Sequence, residues 1–459
     1  MYRKNAWNKY KDNLSTVYDF AKDYMNYLSY SKTERLATAE AVRLLEEKGF
    51  VNFETVTSLS TGDKIYVVNK NKNVLAFIIG NKPLTAGLRI LGAHIDSPRL
   101  DLKENPIYEK ANFAYGDTHY YGGIKKYQWV TTPLALHGVV VKKDGTKVTV
   151  AIGEDLNDPI VGITDLLIHL SADQMGKTLA RGIEGEALDL TLGSIHFDEG
   201  EEKTKSKTYL LNLLKEHYDI EEEDFVSAEI EVVPAGPARD YGLDRSMIAG
   251  YGHDDRCCAY TSLRAILDVN PSDVSNTVCC FLVDKEEVGS PGATGAQSVF
   301  FENAIAKLAH LCGLEDPLYQ ARIILENSKM LSSDVSAAFD PLYAYVSDTN
   351  NVAYFGEGLV FNKYTGSRGK SGSNDSNPEY YAWVRNVMDS NSVNWQSAEL
   401  GKVDQGGGGT IAYILGNYNM NVIDAGIAVL NMHAPMEIIS KVDLYEAYLG
   451  YKAFLVAND

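Results

Sequence analysis

Two adjacent carboxylates stand directly after an apolar run of the sequence. The run NTVCCFLV occupies positions 276–283, and the segment DKEEVGSPGA that follows contains Glu286 and Glu287. Its short length and its apolar, β-branched residues predict a strand buried on both faces. Two like charges at its end lose hydration and repel each other, so a bound cation or a proton-transfer role would explain them. The alternative is a solvated turn with Glu287 near a helix that starts around Pro291.

A histidine and an aspartate lie two positions apart in GAHIDSP, at the end of another strand-like run. In an extended chain, His94 and Asp96 face the same side. Asp96 can then accept a hydrogen bond from one ring nitrogen of His94 while the other nitrogen binds a metal. A packed histidine at a strand end, with no metal, is the alternative.

A pair of aspartates precedes a strongly helical apolar run in GYGHDDRCCAYTSLRAIL. Either Asp254 or Asp255 could cap that helix. In the functional interpretation, Asp254 directs its two carboxylate oxygens at two cations, and the helix N-terminus helps to hold the anion.

Two later segments each offer one more ligand. Asp334 follows ARIILEN, which we interpret as strand-like, and His433 follows the apolar run IDAGIAVL. Taken singly, an aspartate in a turn and a packed histidine are the ordinary interpretations of these two residues.

The candidates share one ligand chemistry, because they are imidazoles and carboxylates without a thiolate. Each follows a strand or an apolar run, and strand ends converge on one crevice in α/β sheets. Two Zn²⁺ ions carry four positive charges, which three carboxylates and a bridging hydroxide would balance, leaving Glu286 as the general base. The candidate metal ligands are His94, Asp254, Glu287, Asp334 and His433.

The elements that must position these residues change in character along the chain. The first fifty residues have a helical pattern, and strand-like runs KIYVVNK, VLAFIIG and LRILGAHID follow. Residues 98–240 are strand-like and rich in aromatic residues, and helices alternate with buried strands after them. We therefore predict an α/β catalytic domain in two parts, 1–97 and 241–459, interrupted by a β-rich insertion at 98–240.

Composition limits the class of protein. The 459 residues are 45% apolar, and 43 basic against 62 acidic residues give a net charge of −19, which argues against nucleic acid or anionic membranes as partners. The N-terminal residues lack the apolar core of a secretory signal, and no apolar run is long enough to span a membrane, so we expect a soluble cytoplasmic protein. The five cysteines are predicted to be thiols, mostly buried.

Several segments, in their order along the chain, resemble the M18 family of metallo-aminopeptidases, the aspartyl aminopeptidase group within the dinuclear zinc exopeptidases. They are GAHIDSPRL, YYGGI, DLLIHL, GHDDRCC, DKEEVGS, SSDVSAAFDP, GGGGT and NMHAPMEI. The resemblance spans almost the whole chain. It implies a mixed-sheet zinc exopeptidase domain with helices on both faces, interrupted by a β-rich dimerisation domain.

The resemblance also implies roles for individual residues, with two Zn²⁺ per subunit and Co²⁺ or Mn²⁺ as substitutes. It implies that Asp254 bridges both ions, with His94 and Asp334 on one ion, Glu287 and His433 on the other, Glu286 as general base and Asp96 as the residue that orients His94. Asp255 stands where family members commonly have asparagine, and Asp255 as the ligand in place of Asp254 is the alternative.

The resemblance further implies an oligomer, with dimers assembled into a tetrahedral dodecamer. In such an assembly, His169 of DLLIHL reaches the neighbouring subunit's active site and polarises the scissile carbonyl or stabilises the oxyanion. Considered alone, His169 reads as a surface histidine. Ile124 stands where the family has a third glycine, so the chain departs from the family pattern in this loop of the insertion.

The function implied is hydrolysis of the N-terminal residue from peptides by a hydroxide that bridges two zinc ions. An acidic first residue would need a cationic pocket, which Lys363, Arg368 and Lys370 of a polar loop could supply; a solvated basic loop is the alternative. A dinuclear amidase or deacylase acting on a non-peptide amide is the nearest competing function. A non-catalytic binding protein of the same fold is the other.

Overall fold

The computed structural model describes residues 4–198 and 205–458. The chain forms two compact units. Unit 1 contains the residues up to Asp96, Ala238–Met432 and the residues from Glu437 onward. Unit 2 contains Ser97–Pro237 together with His433–Met436. Each unit has its own sheet and its own apolar core.

The helices follow the expected local signals. Helix α3 begins after Thr33, whose side chain accepts a hydrogen bond from the Leu36 N–H, and it ends just before Gly49, whose φ is +81°. In chain order, the α-helices of the described residues are α1 Trp7–Tyr10, α2 Ser15–Tyr30, α3 Glu34–Glu47, α4 Ala172–Met175, α5 Leu179–Gly182, α6 Ser206–Tyr218, α7 His253–Leu267, α8 Phe300–Leu311, α9 Pro317–Glu326, α10 Pro378–Ser390, α11 Ala412–Gly416 and α12 Lys441–Val456.

The strands include the three predicted before the insertion, which are β2, β3 and β4. In chain order, the strands of the described residues are β1 Val51–Asn52, β2 Lys64–Asn69, β3 Asn73–Ile78, β4 Arg89–His94, β5 Arg99–Lys110, β6 Phe113–Tyr121, β7 Leu134–Val141, β8 Lys147–Ile152, β9 Leu190–Gly193, β10 Ala228–Pro234, β11 Arg239–Tyr241, β12 Met247–Gly250, β13 Val278–Val283, β14 Lys329–Ser332, β15 Ser336–Ala337, β16 Leu359–Asn362, β17 Trp395–Ser397, β18 Asn421–Gly426, β19 Ala428–Leu430 and β20 Glu437–Ser440.

The main sheet of unit 1 has the strand order β1-β2-β3-β13-β4-β14-β18-β16-β17. Its four central strands, β13, β4, β14 and β18, are mutually parallel, so their carboxyl ends lie at one edge of the sheet. Alternate residues of β3 point into two separate apolar cores, one shared with α2, α3, α7, α10 and α12 and the other with α8, α9 and α11. The predicted mixed sheet with helices on both faces is thus confirmed.

Two expectations about local structure were wrong. The segment ARIILEN lies mainly in helix α9, because Ala321, Ile324 and Leu325 recur at helical spacing on its buried side and Pro317 occupies its first turn. The strand before Asp334 is instead the short β14. No helix starts around Pro291, since the next helix after the carboxylate pair begins at Phe300.

Two further sheets complete the description of the strands, one in each unit. Unit 1 has a second sheet with the order β11-β12-β20-β19-β15. Unit 2 has a six-stranded sheet with the order β8-β7-β10-β5-β6-β9, in which neighbouring strands are antiparallel. All five cysteines are free thiols, as predicted; four of them are buried, whereas Cys312 is half-buried. Among the described residues, no helix has both the length and the apolar character that crossing a membrane requires.

Candidate metal centre

The chemistry-bearing residues of unit 1 follow the carboxyl ends of its parallel strands. His94 is the last residue of β4, and Asp334 lies two residues beyond β14. Glu286 and Glu287 lie in a 3-10 turn, Glu286–Val288, that follows β13. Because these strands are parallel and adjacent, the side chains meet at one edge of the sheet.

One imidazole nitrogen is the centre of the group. The Nε2 atom of His94 lies 3.1 Å from Oδ1 of Asp254, 3.9 Å from Oε2 of Glu286 and 3.9 Å from Oδ1 of Asp334. The His94 side chain is 2% exposed, whereas those of Glu286 and Asp334 are 15% and 12% exposed. The carboxylates therefore retain some access to solvent while the histidine is enclosed.

The aspartate pair lies in the first turn of α7. That helix starts at His253 after Gly252, without a side-chain cap, and both aspartates have non-helical backbone angles across a cis peptide bond. Neither aspartate therefore caps the helix. The Asp254 N–H donates to Oε2 of Glu437 at 2.9 Å, and Oδ2 of Asp255 accepts from the His94 N–H at 3.3 Å. Asp254 faces the imidazole ring while Asp255 bonds backbone, which favours Asp254 as the ligand.

Asp96 contacts both of the motifs that flank the centre. Its backbone carbonyl is 3.0 Å from Nδ1 of His94, and its carboxylate oxygen Oδ1 is 3.2 Å from the same nitrogen. The carboxylate also accepts hydrogen bonds from the backbone N–H groups of Glu286 and Glu287, each at 3.1 Å. The His94 ring nitrogen therefore lies near both the predicted carboxylate and the backbone carbonyl of Asp96, although the strand ends at His94.

The ionisation of the group shows how strongly its charges interact. Burial favours neutral His94, but hydrogen bonds to Asp254 and Asp96 outweigh burial, so the pKa of His94 lies well above its usual value. Burial raises the pKa of Asp334 well above its usual value; His94 opposes this shift, and the charge of Glu286 adds to it. Without a neighbouring positive charge, His94 and Asp334 therefore both tend to keep their protons.

A divalent cation fits this donor set. Two groups of three side chains could each hold a metal ion. One is His94 with Asp254 and Glu287, and the other is His94 with Glu286 and Asp334; within each group, the possible ligand atoms lie within 4.8 Å of one another. Imidazole nitrogen and carboxylate oxygen suit zinc, and a cation would offset both the burial and the repulsion that raise the pKa of Asp334.

The backbone at Asp334 lies very close to the backbone of Gly426 in strand β18. A Cβ atom on Gly426 of β18 would lie only 1.7 Å from the Asp334 carbonyl oxygen, so this position needs glycine. Asp424 of the same strand is buried, and burial raises its pKa to about 6 while Thr410 donates to its Oδ1 at 2.6 Å.

Sequence reasoning missed Asp424 and Glu437. A lone acid inside the apolar strand NVIDAG was a usable signal for Asp424. Glu437 is also buried, but its contact with the Asp254 N–H joins residues 183 positions apart and has no local sequence signal.

Two predicted histidines belong to unit 2. Nδ1 of His433 lies 2.8 Å from the carbonyl oxygen of Gly123, and a Cβ on Gly123 would lie 3.4 Å from that nitrogen. The YYGGI segment thus touches His433, which has a φ of +65°. His169 lies in an exposed 3-10 turn, Ile168–Leu170. The structure therefore brings together five of the predicted residues, which are His94, Asp254, Glu286, Glu287 and Asp334, within unit 1.

The predicted basic loop lines a pocket of about 140 Å³ in unit 1. Arg368 and Lys370 line it, but Lys363 does not. Lys370 forms a 3.1 Å ion pair with Asp375 and lies 3.7 Å from the centre of the Tyr364 ring. The pocket also contains Lys402 and the acidic residues Glu399 and Asp404, so its charges are mixed rather than uniformly positive.

A comparison of the sequence with models of known protein families identifies the family to which the chain belongs. A family model described as aminopeptidase I zinc metalloprotease (M18) matches residues 27–455. The chain belongs to the M18 family of zinc metalloproteases. It is therefore a zinc aminopeptidase and a hydrolase, as the sequence motifs imply.

M18 relatives match the chain along nearly its full length. The probable M18 family aminopeptidase 1 of Clostridium acetobutylicum is 58% identical over 457 residues, which is 98% of each chain. The crystal structure of the M18 aminopeptidase from Thermotoga maritima has a TM-score of 0.95 at 45% identity and covers 99% of both chains. The mApe1 dodecamer of S. cerevisiae shares the fold, with a TM-score of 0.76 at 19% identity over 95% of this chain and 96% of that one.

Proposed function

We propose that this M18 aminopeptidase removes the N-terminal residue from peptides with a free amine, using two zinc ions held around His94. The observation that carries this proposal is the set of carboxylates about Nε2 of His94, with Asp254 at 3.1 Å and Asp334 at 3.9 Å. A buried group of this charge needs cations to be stable near neutral pH.

The ligand assignment extends this group to both ions. When bound, the zinc ions would lower the pKa of a water molecule toward about 7 and polarise the carbonyl under attack, with Co²⁺ or Mn²⁺ as expected substitutes. The Gly123 carbonyl supports a role for His433, because an acceptor at Nδ1 is the kind of partner that orients a metal-binding imidazole. The proposed ligands are Asp254, shared by both ions, His94 and Asp334 for one ion, and Glu287 and His433 for the other.

Glu286 is the proposed general base. Its carboxylate is close to the His94 ring, at 3.9 Å, but is 15% exposed, so it can meet both a water molecule and a substrate. It would take a proton from the attacking water and return it to the nitrogen of the leaving amine as the peptide bond breaks. Asp96 would hold His94 and the turn that carries Glu286.

Unit 2 supports a proposal about assembly. The turn Ile168–Leu170 exposes large apolar side chains, with Ile168 at 70% and Leu170 at 68% exposure, as expected where another protein surface binds. We assign residues 98–240 to dimerisation and residues 1–97 and 241–459 to catalysis. By likeness to the mApe1 dodecamer, dimers would assemble to twelve subunits. His169 would then reach a neighbouring active site and stabilise the oxyanion, a role worth about 2.7 to 4 kcal/mol in comparable sites.

A preference for an acidic first residue would depend on the pocket lined by Arg368 and Lys370. Arg368 supports it, but Asp375 pairs with Lys370, and Glu399 and Asp404 share the pocket. Rates on Asp-, Glu- and Leu-terminated peptides decide the question, since a preference for Leu would exclude an acidic pocket.

The proposed setting is the cytoplasm, with peptides and further copies of this chain as partners. Four buried thiols, none of them in a disulfide, suit a reducing compartment. Nucleic acid and membranes are not proposed partners, given the net charge of −19.

The direct experiment compares unblocked and N-acetylated forms of the same peptides while zinc content is measured. We expect turnover of the free-amine peptides alone, with two zinc ions per chain. Equal turnover of the acetylated peptides would contradict the requirement for a free amine and favour a general amidase.

A further inference from the structure

The glycine-rich segment GGGGT, residues 406–410, packs backbone against backbone with the loop that contains Arg368 and Lys370. The Gly366 N–H donates to the Gly408 carbonyl at 2.6 Å. A Cβ atom on Gly407, whose φ is +137°, would overlap the Gly366 carbonyl oxygen, so this position needs glycine. The segment therefore fixes the basic loop at Gly366.

The same contacts form one side of the pocket of about 140 Å³ that the basic loop lines. Gly366 and Gly406 both line it, and so does Leu400. A Cβ atom on Gly406 would overlap the Leu400 carbonyl oxygen. This side of the pocket thus consists of backbone segments in close contact, and its shape depends on where the glycine-rich segment lies.

Thr410 joins the segment to the main sheet. Its Oγ1 donates to Oδ1 of Asp424 at 2.6 Å, and the Ala412 N–H donates to the same Oγ1 at 3.2 Å. The hydroxyl thus uses both its donor and an acceptor position. A distance of 2.6 Å is typical of a hydroxyl bound to a carboxylate, which is a stronger bond than one between neutral groups.

Asp424 itself has a fixed position. It is 2% exposed, and it lies in the sheet interior, opposite Ser332 of β14 on one side and Asn362 of β16 on the other. Its backbone is therefore held between two neighbouring strands. If the hydrogen bond to Thr410 is lost, we expect the glycine-rich segment to move rather than the strand.

We propose that Thr410, held by the buried Asp424, is a positioning residue that fixes the glycine-rich segment and, through it, the shape of the pocket lined by Arg368 and Lys370. This inference rests on the proposed function, with that pocket receiving the side chain of the peptide's first residue. Thr410 then acts on the choice of first residue, because its hydroxyl bonds to Asp424 and Ala412, and neither is a proposed metal ligand or base.

Thr410→Val and Thr410→Ser test the proposal as a pair. Valine has the shape of threonine without the hydroxyl, whereas serine keeps the hydroxyl. The readout is hydrogen exchange of the Gly366 amide in zinc-loaded protein, because that amide bonds to Gly408 and not to Thr410. We expect exchange to rise about tenfold or more in Thr410→Val and by less than about threefold in Thr410→Ser.

Kinetics on Asp-, Glu- and Leu-terminated peptides give the second readout. In Thr410→Val, we expect KM for the best peptide to rise about fivefold or more, while kcat changes by less than about threefold, because binding is weakened and the reacting groups stay in place. The ratio of kcat/KM between the best and the worst peptide should fall about fivefold or more. An equal loss on all three peptides would contradict a role in specificity.

Two neighbouring glycines provide a second test of the same contact. Gly408 has open space where a Cβ atom would lie, in contrast to Gly407. Gly407→Ala should therefore raise exchange of the Gly366 amide, whereas Gly408→Ala should leave it unchanged. Equal exchange in these two variants would contradict the close approach of the two loops.

Thr277→Val controls for the loss of a buried threonine hydroxyl elsewhere in unit 1. Thr277 is 2% exposed, and its Oγ1 accepts from the Gly80 N–H at 3.0 Å. This variant should preserve both the exchange of the Gly366 amide and the order of preference among the three peptides.

Two outcomes overturn the proposal. Unchanged exchange of the Gly366 amide in Thr410→Val would show that Thr410 does not position the segment. Raised exchange with unchanged KM and unchanged preference would show that the pocket does not select the first residue. Failure of the proposed function is distinguishable, because a chain that cleaves none of the free-amine peptides would leave the exchange results standing.

Discussion

The strand ends of unit 1 bury ionisable side chains, whereas the Ile168–Leu170 turn of unit 2 exposes apolar ones. Each is the reverse of where such residues usually lie. Around His94, ionisable side chains are nearly buried, with Asp254 at 5% and Asp334 at 12% exposure. In the unit 2 turn, Ile168 and Leu170 are about two-thirds exposed. A cation would stabilise the buried charge, and a protein surface would cover the exposed apolar side chains, so the two proposals place different partners at the two regions.

The largest effect should come from removing the proposed base at the buried site. Glu286→Gln should lower turnover by about 10² to 10⁴-fold, because the amide cannot take a proton from water, while zinc content stays near two per chain. Steady-state rates and metal analysis on the same samples check this. A variant with near-normal turnover would end the assignment of Glu286.

Zinc should stabilise unit 1 through the same cluster. At a free zinc concentration of 100 Kd, we expect the free energy of unfolding to rise by about 2.7 kcal/mol for each ion bound, relative to chelated protein. Asp334→Asn removes a charged ligand and should greatly reduce this gain. Urea unfolding with and without zinc measures it, and an equal gain in the variant would show that the ion binds elsewhere.

His253 of unit 1 is also buried but, unlike the ionisable groups around His94, is neutral at pH 7. Burial lowers the pKa of His253 to about 3 from a usual 6.5, and the Tyr24 hydroxyl lies 2.7 Å from its Nδ1. Between pH 6.5 and about 3, His253 binds fewer protons in the folded chain than in the unfolded chain. The stability that it contributes is therefore present above pH 6.5 and is lost as the pH falls toward about 3.

Between pH 7 and pH 5 this loss should be about 2 kcal/mol for metal-free protein. His253→Asn cannot titrate, so it should show a pH dependence weaker by that amount in urea unfolding. Identical pH dependence in the two proteins would mean that His253 is not neutral in the folded state.

The smallest expected effect concerns the exposed turn of unit 2. Ile168→Asp should weaken self-association by about tenfold, or about 1.4 kcal/mol, because it places a charge in an apolar contact. Sedimentation analysis at several concentrations measures this. Leu243→Asp is the control, since Leu243 is also an exposed apolar residue but belongs to unit 1. An equal effect of that variant would contradict a role of the turn in self-association.

Much of the site could be predicted because it follows from strand ends. His94 is the last residue of a strand, Glu286 and Asp334 come shortly after one, and parallel adjacent strands bring such positions together. The ARIILEN segment misled because an apolar run of that length suits a helix as well as a strand.

Other parts of the site have no local signal in the sequence. The hydrogen bonds of Asp96 to Glu286 and Glu287 use backbone N–H groups, which every residue type except proline carries. The acceptor for the Asp254 N–H, Glu437, lies on a strand of the other sheet in unit 1. Such contacts depend on how distant segments pack, which residue types alone do not specify.

The measurement that tests the central claim most directly is anomalous X-ray diffraction at the zinc edge from crystals grown with zinc. The account predicts two peaks in each subunit, within about 2.0 to 2.2 Å of ligand atoms that include His94 Nε2 and oxygens of Asp254, Glu287 and Asp334. Peaks that touch none of these four side chains would contradict it.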